Sequence, residues 1–300
     1  MDEMNAVPLP VATKVPAPVP AAPISPPVSR PARGRARLRW FDLRQDIPAW
    51  AVKGLGVFSF AALLLGWAWL SRREFVNPVF LPTPERVWTA IQALWEDGTI
   101  WDDLKISLFR VSVGFLVSAL IGVPLGVFIG SFKALEALFQ PITEFVRYIP
   151  VPALIPLVMV CFGIGEMAKV MLIFIGTFFQ LTLMVADEVR RVQYDLVQVS
   201  YTLGGRRGEI IRLVLWRAAM PGIFDALRLC NGWAWTYLVV AELIAANEGL
   251  GYRILKFSRY LQTPKIFLYL FLLGVIGLSL DIAFRKFNAR VFHWADTRKK

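Results

Sequence analysis

Residues 187–221 decide the fold, and they read DEVRRVQYDLVQVSYTLGGRRGEIIRLVLWRAAMP between two long apolar runs. Six arginines alternate with apolar residues in this insert, so no hydrocarbon interior would accept it. Basic segments between membrane spans face the cytoplasm under the positive-inside rule. The insert therefore predicts a membrane protein with a structured cytoplasmic segment between two of its spans.

The insert has the pattern of a short helix followed by a second one. Asp195 suits the N-cap of the first helix, and Gly204-Gly205 suits its stop. Apolar residues recur at helical spacing between them: Leu196, Val199, Leu203. The second helix then carries apolar residues toward Pro221. Such a helix suits a groove on a soluble partner, and a position flat on anionic lipid is the alternative.

The composition is that of an integral membrane protein, because 56% of the 300 residues are hydrophobic and 18% are charged. Crossing the hydrocarbon takes about 20 apolar residues in a helix. Six apolar blocks approach that length: Gly54–Leu70, Val111–Gly130, Pro150–Gly165, Val170–Ala186, Gly222–Ala246 and Ile266–Leu280. We predict an all-α polytopic protein with about six transmembrane helices, of which the third is broken by prolines.

Basic clusters set the predicted orientation and domain boundaries. They precede the first block, follow the last and fill the insert, and six spans place all three on one side. Residues 1–45 are predicted to be a disordered, basic, Pro/Ala-rich cytoplasmic tail. Residues 46–287 form the predicted transmembrane domain, and 288–300 a cytoplasmic C-terminal tail. The net charge of +11 is assigned to topology and to membrane lipid, and no nucleic-acid partner is expected.

The chain lacks the residue patterns of several chemistries. It contains no G-x-x-x-x-G-K-[ST] phosphate loop, and its single histidine, His293, lies near the C-terminus. No carboxylate pair within one span is spaced for acid–base catalysis. We therefore expect no catalytic residue, no metal site and no cofactor in this chain, and transport is favoured over catalysis.

Two segments are predicted to lie outside the membrane. Thr83 and Pro84 suit the N-cap and first position of a helix that lies along the interface or contacts an extracytoplasmic protein. Its predicted inner face is Val87, Ile91, Leu94 and Trp95. A later segment, Asn247–Lys265, has four basic residues against the single acid Glu248. This excess favours an anionic solute by electrostatic focusing, and contact with lipid headgroups or with the acidic rim of an extracytoplasmic protein is the alternative.

Polar residues within the spans are candidates for a translocation pathway, since each is costly unless it faces protein or water. The candidates are Arg147, Gln180, Asn231, Trp235 and Glu242. Packing is the alternative role for each of them. Asp225 with Arg228, and Glu166 with Lys169, are spaced as structural ion pairs.

An ordered series of motifs resembles the permease subunit of ATP-binding-cassette importers of the nitrate/sulfonate/taurine type. The series covers over two thirds of the chain, and its elements are LPTP at 81–84, SLFRV at 107–111, GVPLG at 122–126, RYIPVPALIPL at 147–157, FGIGE at 162–166, the insert, VVAE at 239–242 and GLGY at 249–252. The resemblance implies a type I importer permease in the bacterial inner membrane. It also implies alternating access, a second copy of the permease, a cytoplasmic ATPase dimer that holds ATP and Mg²⁺, and an extracytoplasmic solute-binding protein.

The family's coupling signature, E-A-A-x-x-x-G, falls on the insert. The resemblance assigns ATPase coupling to Gln198, Val199, Ser200, Leu203, Gly204, Gly205 and Arg206. Gln-Val-Ser stands where the family usually has Glu-Ala-Ala, so the charge pairing of the acidic residue is missing. Arg217 stands where a proline is expected four residues before Pro221, which favours a less kinked exit. A secondary transporter or a membrane-embedded enzyme remains the alternative function.

Overall fold

The structure, a computed structural model, describes residues 47–73 and 75–295. The predicted tail over 1–45 lies outside these residues, as do 296–300. The chain divides into two units, of which the first ends at Phe60 and the second begins at Ala61. Helix α1 (Ala49–Arg72) contains the division, and every later helix belongs to the second unit.

All regular secondary structure in the described residues is helical, without a strand among them, which confirms the all-α prediction. The helices after α1 are α2 (Pro84–Glu96), α3 (Thr99–Ser131), α4 (Lys133–Arg147), α5 (Val151–Phe162), α6 (Glu166–Arg190), α7 (Tyr194–Thr202), α8 (Arg207–Glu209), α9 (Trp216–Ala245), α10 (Leu250–Arg259) and α11 (Thr263–Val291). A π-helical turn, Ile210–Leu215, joins α8 to α9. Helix α11 passes the predicted domain boundary at 287.

Within the described part of the chain, four helices are long and apolar enough to cross a membrane, namely α1, α3, α6 and α11. Helices α4 and α5 qualify together as a fifth, broken span, because they meet at a bend of 100°. The predicted fifth block falls on α9, whose length suffices but which carries Asp225, Arg228 and Glu242. The helices thus supply four spans, or five if the bent pair is one span, where the sequence predicts about six. The remaining predicted span is α9, which is too polar to qualify.

Close packing of α3 against α6 forms the centre of the fold. A Cβ atom on Gly126 would lie 2.6 Å from the Thr182 carbonyl oxygen, and one on Gly130 would lie 2.7 Å from the Ala186 carbonyl oxygen. These glycines therefore let the two backbones approach, as small residues do between membrane helices. The Ser118 and Thr177 hydroxyls, 2.6 Å apart, add a buried hydrogen bond across the same contact.

Helix α2 begins as predicted, with Thr83 at the N-cap and Pro84 as its first residue. Its buried face consists of Val87, Ala90 and Leu94, and it packs on α11. Trp95 is predicted to share that face, but it is largely exposed and its ring meets Trp101 edge-on. The helix is thus fixed by three small or aliphatic residues, and both of its tryptophans are exposed; its position along the membrane interface stays a prediction.

Candidate functional site

The predicted coupling helix is α7, and a glycine turn ends it. Gly204 has φ +83°, its N–H donates to the Tyr201 carbonyl at 2.9 Å, and the Gly205 N–H donates to the Ser200 carbonyl at 2.9 Å. These two bonds define a Schellman motif, in which the left-handed position favours glycine. The turn also requires glycine at position 205, because a Cβ there would lie 2.8 Å from the Ser200 carbonyl oxygen. The predicted helix stop is confirmed.

The start of α7 differs from the prediction. Gln193, not Asp195, is the N-cap residue, and no side chain caps this end. Asp195 lies within the first turn, where its charge still favours the positive end of the helix dipole. The prediction was wrong by two residues because an aspartate suits the first turn as well as the cap.

Helix α7 buries none of its residues in the protomer. Val199 and Leu203, which the resemblance assigns to coupling, are 55% and 82% exposed. Gln198 is exposed, Ser200 is half-buried, and Arg206 is the exposed N-cap of α8. Helix α7 contacts the Ile210–Leu215 segment, but Val199 and Leu203 stay exposed, and an exposed apolar surface of this kind is what a docking element presents.

Short, structured connections attach α7 to the bundle. On one side, Arg190 at the end of α6 pairs with Glu136 of α4 at 2.8 Å and donates to Gln140 at 3.1 Å. On the other side, the Glu209 carboxylate accepts the Arg206 N–H at 2.9 Å, and Ile210 then enters the core. A displacement of α7 would therefore reach α4, α6 and α9 together.

An ionic cluster centred on two fully buried residues, Arg110 and Glu242, joins α3, α6 and α9. Arg110 of α3 has no exposed side-chain surface, and its guanidinium donates to Glu242 of α9 at 2.8 Å. Glu166 of α6 accepts two further bonds from the same guanidinium, at 2.5 and 2.7 Å. Glu166 also pairs with Lys169 at 2.6 Å, which confirms the predicted pair. Arg110 thus ties three helices together.

The same cluster caps the N-terminus of α10. Three successive amides, of Gly249, Leu250 and Gly251, donate to Asp103, Ser107 and Glu242 at 3.0, 2.9 and 2.8 Å. These acceptors come from α3 and α9, so the loop before α10 is held largely by side chains far away in sequence. Asp103 additionally accepts the Tyr269 hydroxyl of α11 at 2.8 Å.

The segment Asn247–Lys265 has fewer unneutralised basic side chains than the count of its residues predicts. Arg253 forms a salt bridge with Asp103 at 2.7 Å, so its charge is neutralised by an acid outside the segment. Lys256 and Arg259 are exposed, and Lys265 lies over the Phe257 ring at 5.2 Å. The prediction is wrong for Arg253, because it rests on the acids of the segment alone.

A cavity of about 260 Å³ lies at the bend between α4 and α5. Its walls include Arg147, Tyr148, Pro150, Gly176, Phe179 and Tyr237. These residues come from α4, the bend, α6 and α9. The Tyr237 ring seats against α6 because Gly176 has no side chain, since a Cβ there would lie 2.6 Å from the ring.

The chain, a helical bundle with the exposed helix α7, matches a known family of membrane proteins. The family model described as binding-protein-dependent transport system inner membrane component matches residues 122–293, more than half of the chain. The chain belongs to this family. It is thus a permease, a multi-pass inner-membrane component of an ABC transporter, and the prediction of a transport protein rather than an enzyme is confirmed.

Individual relatives and a solved structure agree. The permease is 29% identical to the taurine transport system permease protein TauC of Escherichia coli (strain K12) over 86% of this chain and 94% of TauC. It is 30% identical to the putative aliphatic sulfonates transport permease protein SsuC of Bacillus subtilis (strain 168), over 81% and 88%. A chain from inward facing conformations of the MetNI methionine ABC transporter matches with TM-score 0.58 and 22% identity, over 64% of this chain and 97% of that one. The predicted type I permease fold is confirmed.

The five pathway candidates do not meet in one place. Arg147 lines the cavity at the bend, whereas Gln180 and Asn231 are half-buried elsewhere on α6 and α9. Trp235 is buried, and its indole N–H has no acceptor among the described residues. Glu242 is fully buried in the ionic cluster, where its hydrogen bonds explain its presence without a pathway role.

Several residues that complete the two sites are not predicted from the sequence. Asp103, Ser107 and Tyr269 of the cluster lie on α3 and α11, whose proximity no local pattern reveals. Tyr148 and Tyr237 of the cavity have no spacing that marks them as neighbours of one site. The one usable signal is the proline series at 150–156, which marks a break where polar side chains can meet.

Proposed function

We propose that the permease carries a small anionic solute into the cytoplasm by alternating access, driven by ATP that a separate cytoplasmic ATPase dimer binds and hydrolyses. The observation that carries this proposal is helix α7, which ends at a glycine turn and buries none of its residues. ATP and its Mg²⁺ would bind the partner ATPase, since this sequence has no phosphate-binding loop.

Closure of the ATPase dimer would push on α7. The Schellman turn keeps α7 and the α8–π–α9 segment at a fixed angle, so the push would move them as one body. The Arg190–Glu136 pair would pass the same displacement to α4. This is coupling of two sites through a rigid element with two arrangements, and the permease itself would do no covalent chemistry.

Gln198 and Val199 would then contact the ATPase without the acidic residue that the family usually has. An amide still donates and accepts hydrogen bonds, and an exposed valine still contributes apolar contact. Docking would therefore depend more on the apolar residues Val199 and Leu203 than on charge.

The remaining partners are a second copy of the permease, membrane lipid and an extracytoplasmic binding protein. Large apolar residues on α4 and α5, including Phe145, Leu157 and Val160, are exposed in the protomer and suit the second copy or lipid. Both termini would be cytoplasmic, as the three basic regions favour. The names of TauC and SsuC both refer to sulfonate compounds, which supports a small anion as the solute.

Co-purification with the ATPase tests this function. Val199→Glu should abolish retention of the ATPase on tagged permease, because it places a charge in the apolar docking surface. Val79→Glu, the same change at another exposed valine, should retain it. If Val199→Glu permease binds its ATPase and supports ATP-driven uptake like the unaltered chain, α7 is not the coupling element.

A further inference from the structure

The cavity at the α4–α5 bend is lined by the positively charged guanidinium of Arg147, which pairs with no acidic side chain among the described residues. The Arg147 guanidinium donates to the Tyr148 hydroxyl at 3.1 Å and lies 4.9 Å from the centroid of that ring. Within residues 47–73 and 75–295, no carboxylate forms a salt bridge with it. Arg110, Arg190 and Arg228 each have such a carboxylate within 4.0 Å.

The location makes an unpaired cation costly. Helices α4 and α5 together form a broken span, and Arg147 is the last residue of α4, directly before the break. Charged side chains within membrane segments face protein, water or a ligand, and mark ion and substrate pathways by default. Arg147 is exposed to the cavity rather than packed, so an anion can reach it.

A second feature of the cavity also favours negative charge. The N-terminus of the 12-residue helix α5 opens onto it, with Pro150 at the N-cap and Val151 and Pro152 in the wall. No side chain caps this end. The positive end of the helix dipole therefore lies at the same cavity as the guanidinium, although Pro152 has no N–H and the Ala153 N–H donates to the Pro150 carbonyl at 2.9 Å.

The opposite wall is apolar and aromatic. Phe179 and Tyr237 face the bend, and Gly176 lets the Tyr237 ring lie against α6. A volume of about 260 Å³ suits a small solute with one charged end rather than a peptide or a sugar chain. The cavity thus has a cationic end and an aromatic end.

We propose that this cavity is a solute site of the permease, where Arg147 and the Tyr148 hydroxyl bind the anionic group and Phe179 and Tyr237 cover the organic part. The ligand class is a small sulfonate or carboxylate. The two parallel N–H donors of a guanidinium can bind two oxygens of a carboxylate or of a sulfonate. The inference rests on the proposed importer function and adds to it the residues that contact the solute.

The test uses the complete complex of permease, ATPase and binding protein in proteoliposomes, with labelled taurine, ethanesulfonate and nitrate as probes. Arg147→Gln should lower uptake of the transported anion about tenfold or more at limiting concentration, because a charge-assisted hydrogen bond is lost. Arg147→Lys should restore part of it, since the charge remains without the fork. Arg290→Gln, which removes an equal charge from the exposed last turn of α11, should leave uptake unaltered.

Each outcome decides between the site and its alternatives. Uptake by Arg147→Gln equal to that of Arg290→Gln would overturn the site while leaving the importer standing. Loss of the second permease copy from purified Arg147→Gln complex would assign Arg147 to the subunit interface instead, and overturn the site as well. If the unaltered complex, supplied with ATP, takes up none of the three probes, the proposed function fails, and the solute site with it.

Discussion

Arg110 and Glu242 form an ion pair at 2.8 Å although neither side chain has any exposed surface. They are 132 residues apart in sequence and join α3 to α9. The Glu242 carboxylate also accepts the Ser107 hydroxyl at 2.7 Å and the Gly251 N–H at 2.8 Å. Its charge and its lone pairs are therefore matched, which is the condition under which a buried ion pair is tolerated.

Removing the carboxylate should destabilise the permease strongly. Glu242→Ala leaves Ser107 and the Gly251 amide without an acceptor and weakens the pairing of buried Arg110, at a cost of about 3–5 kcal/mol in the free energy of unfolding. Glu242→Gln keeps an acceptor oxygen and should cost less. Thermal unfolding of the purified permease in detergent measures both, and an alanine variant that unfolds at the unaltered temperature would refute the structural role of the cluster.

The glycine turn after α7 should be sensitive to substitution at Gly204 and not at nearby Gly208. Gly204→Val forces a β-branched residue to φ +83°, at a cost of about 1–2 kcal/mol, and should misalign α7. Gly208→Val, in an ordinary helical conformation with open space around it, should be tolerated. The amount of solute taken up per ATP hydrolysed, measured with the binding protein present, should fall only in Gly204→Val. Equal coupling in the two variants would place the docking element elsewhere.

Adding a single methyl group at the α3–α6 contact should destabilise the fold. Gly126→Ala places a Cβ 2.6 Å from the Thr182 carbonyl oxygen, and such overpacking costs about 1–3 kcal/mol. Gly274→Ala on α11 meets nothing within 4 Å and serves as the control. A lower unfolding temperature is expected for Gly126→Ala alone. Identical unfolding of the two variants would show that the helices pack less closely than described.

The link between α1 and α2 should depend on pH. A hydrogen bond from Arg72 lowers the pKa of Glu85 from 4.5 to about 2. Because the folded-state pKa is depressed, the pair stabilises the fold above pH 4.5 and loses that effect as pH falls toward about 2. The difference in unfolding temperature between the unaltered chain and Glu85→Gln should be small, shrink over this window, and shrink with added salt, since both groups are exposed. A difference that grew on acidification would contradict the pairing.

Local features of the fold were predictable because their causes are local. A glycine that must adopt positive φ identified the end of α7, and Thr83-Pro84 identified the start of α2. The Glu166–Lys169 pair followed from helical spacing alone. In each case the decisive interaction lies within five residues.

The candidate sites were less predictable because they join distant segments. The prolines at 150–156 indicated a break but not a bend of 100°, which depends on how α4 and α5 pack on α6. Glu242 is predicted as a pathway residue because the sequence does not show its three partners on α3 and α10. Asp225 and Glu242 of α9 are hydrogen-bonded by side chains of other helices, and the hydropathy of the sequence does not show such partners.

The most direct test of the proposed function, ATP-driven import of a small solute with an anionic group, is an assay of ATP-dependent uptake. Proteoliposomes should contain the permease with its ATPase, labelled taurine should be added outside with the binding protein, and ATP should be enclosed at the side of the ATPase. We expect accumulation of a small solute with an anionic group, here the sulfonate of taurine or of an aliphatic sulfonate, only when ATP, ATPase and binding protein are all present. Accumulation that persists without the ATPase would contradict this function, and would identify the chain as a self-sufficient transporter.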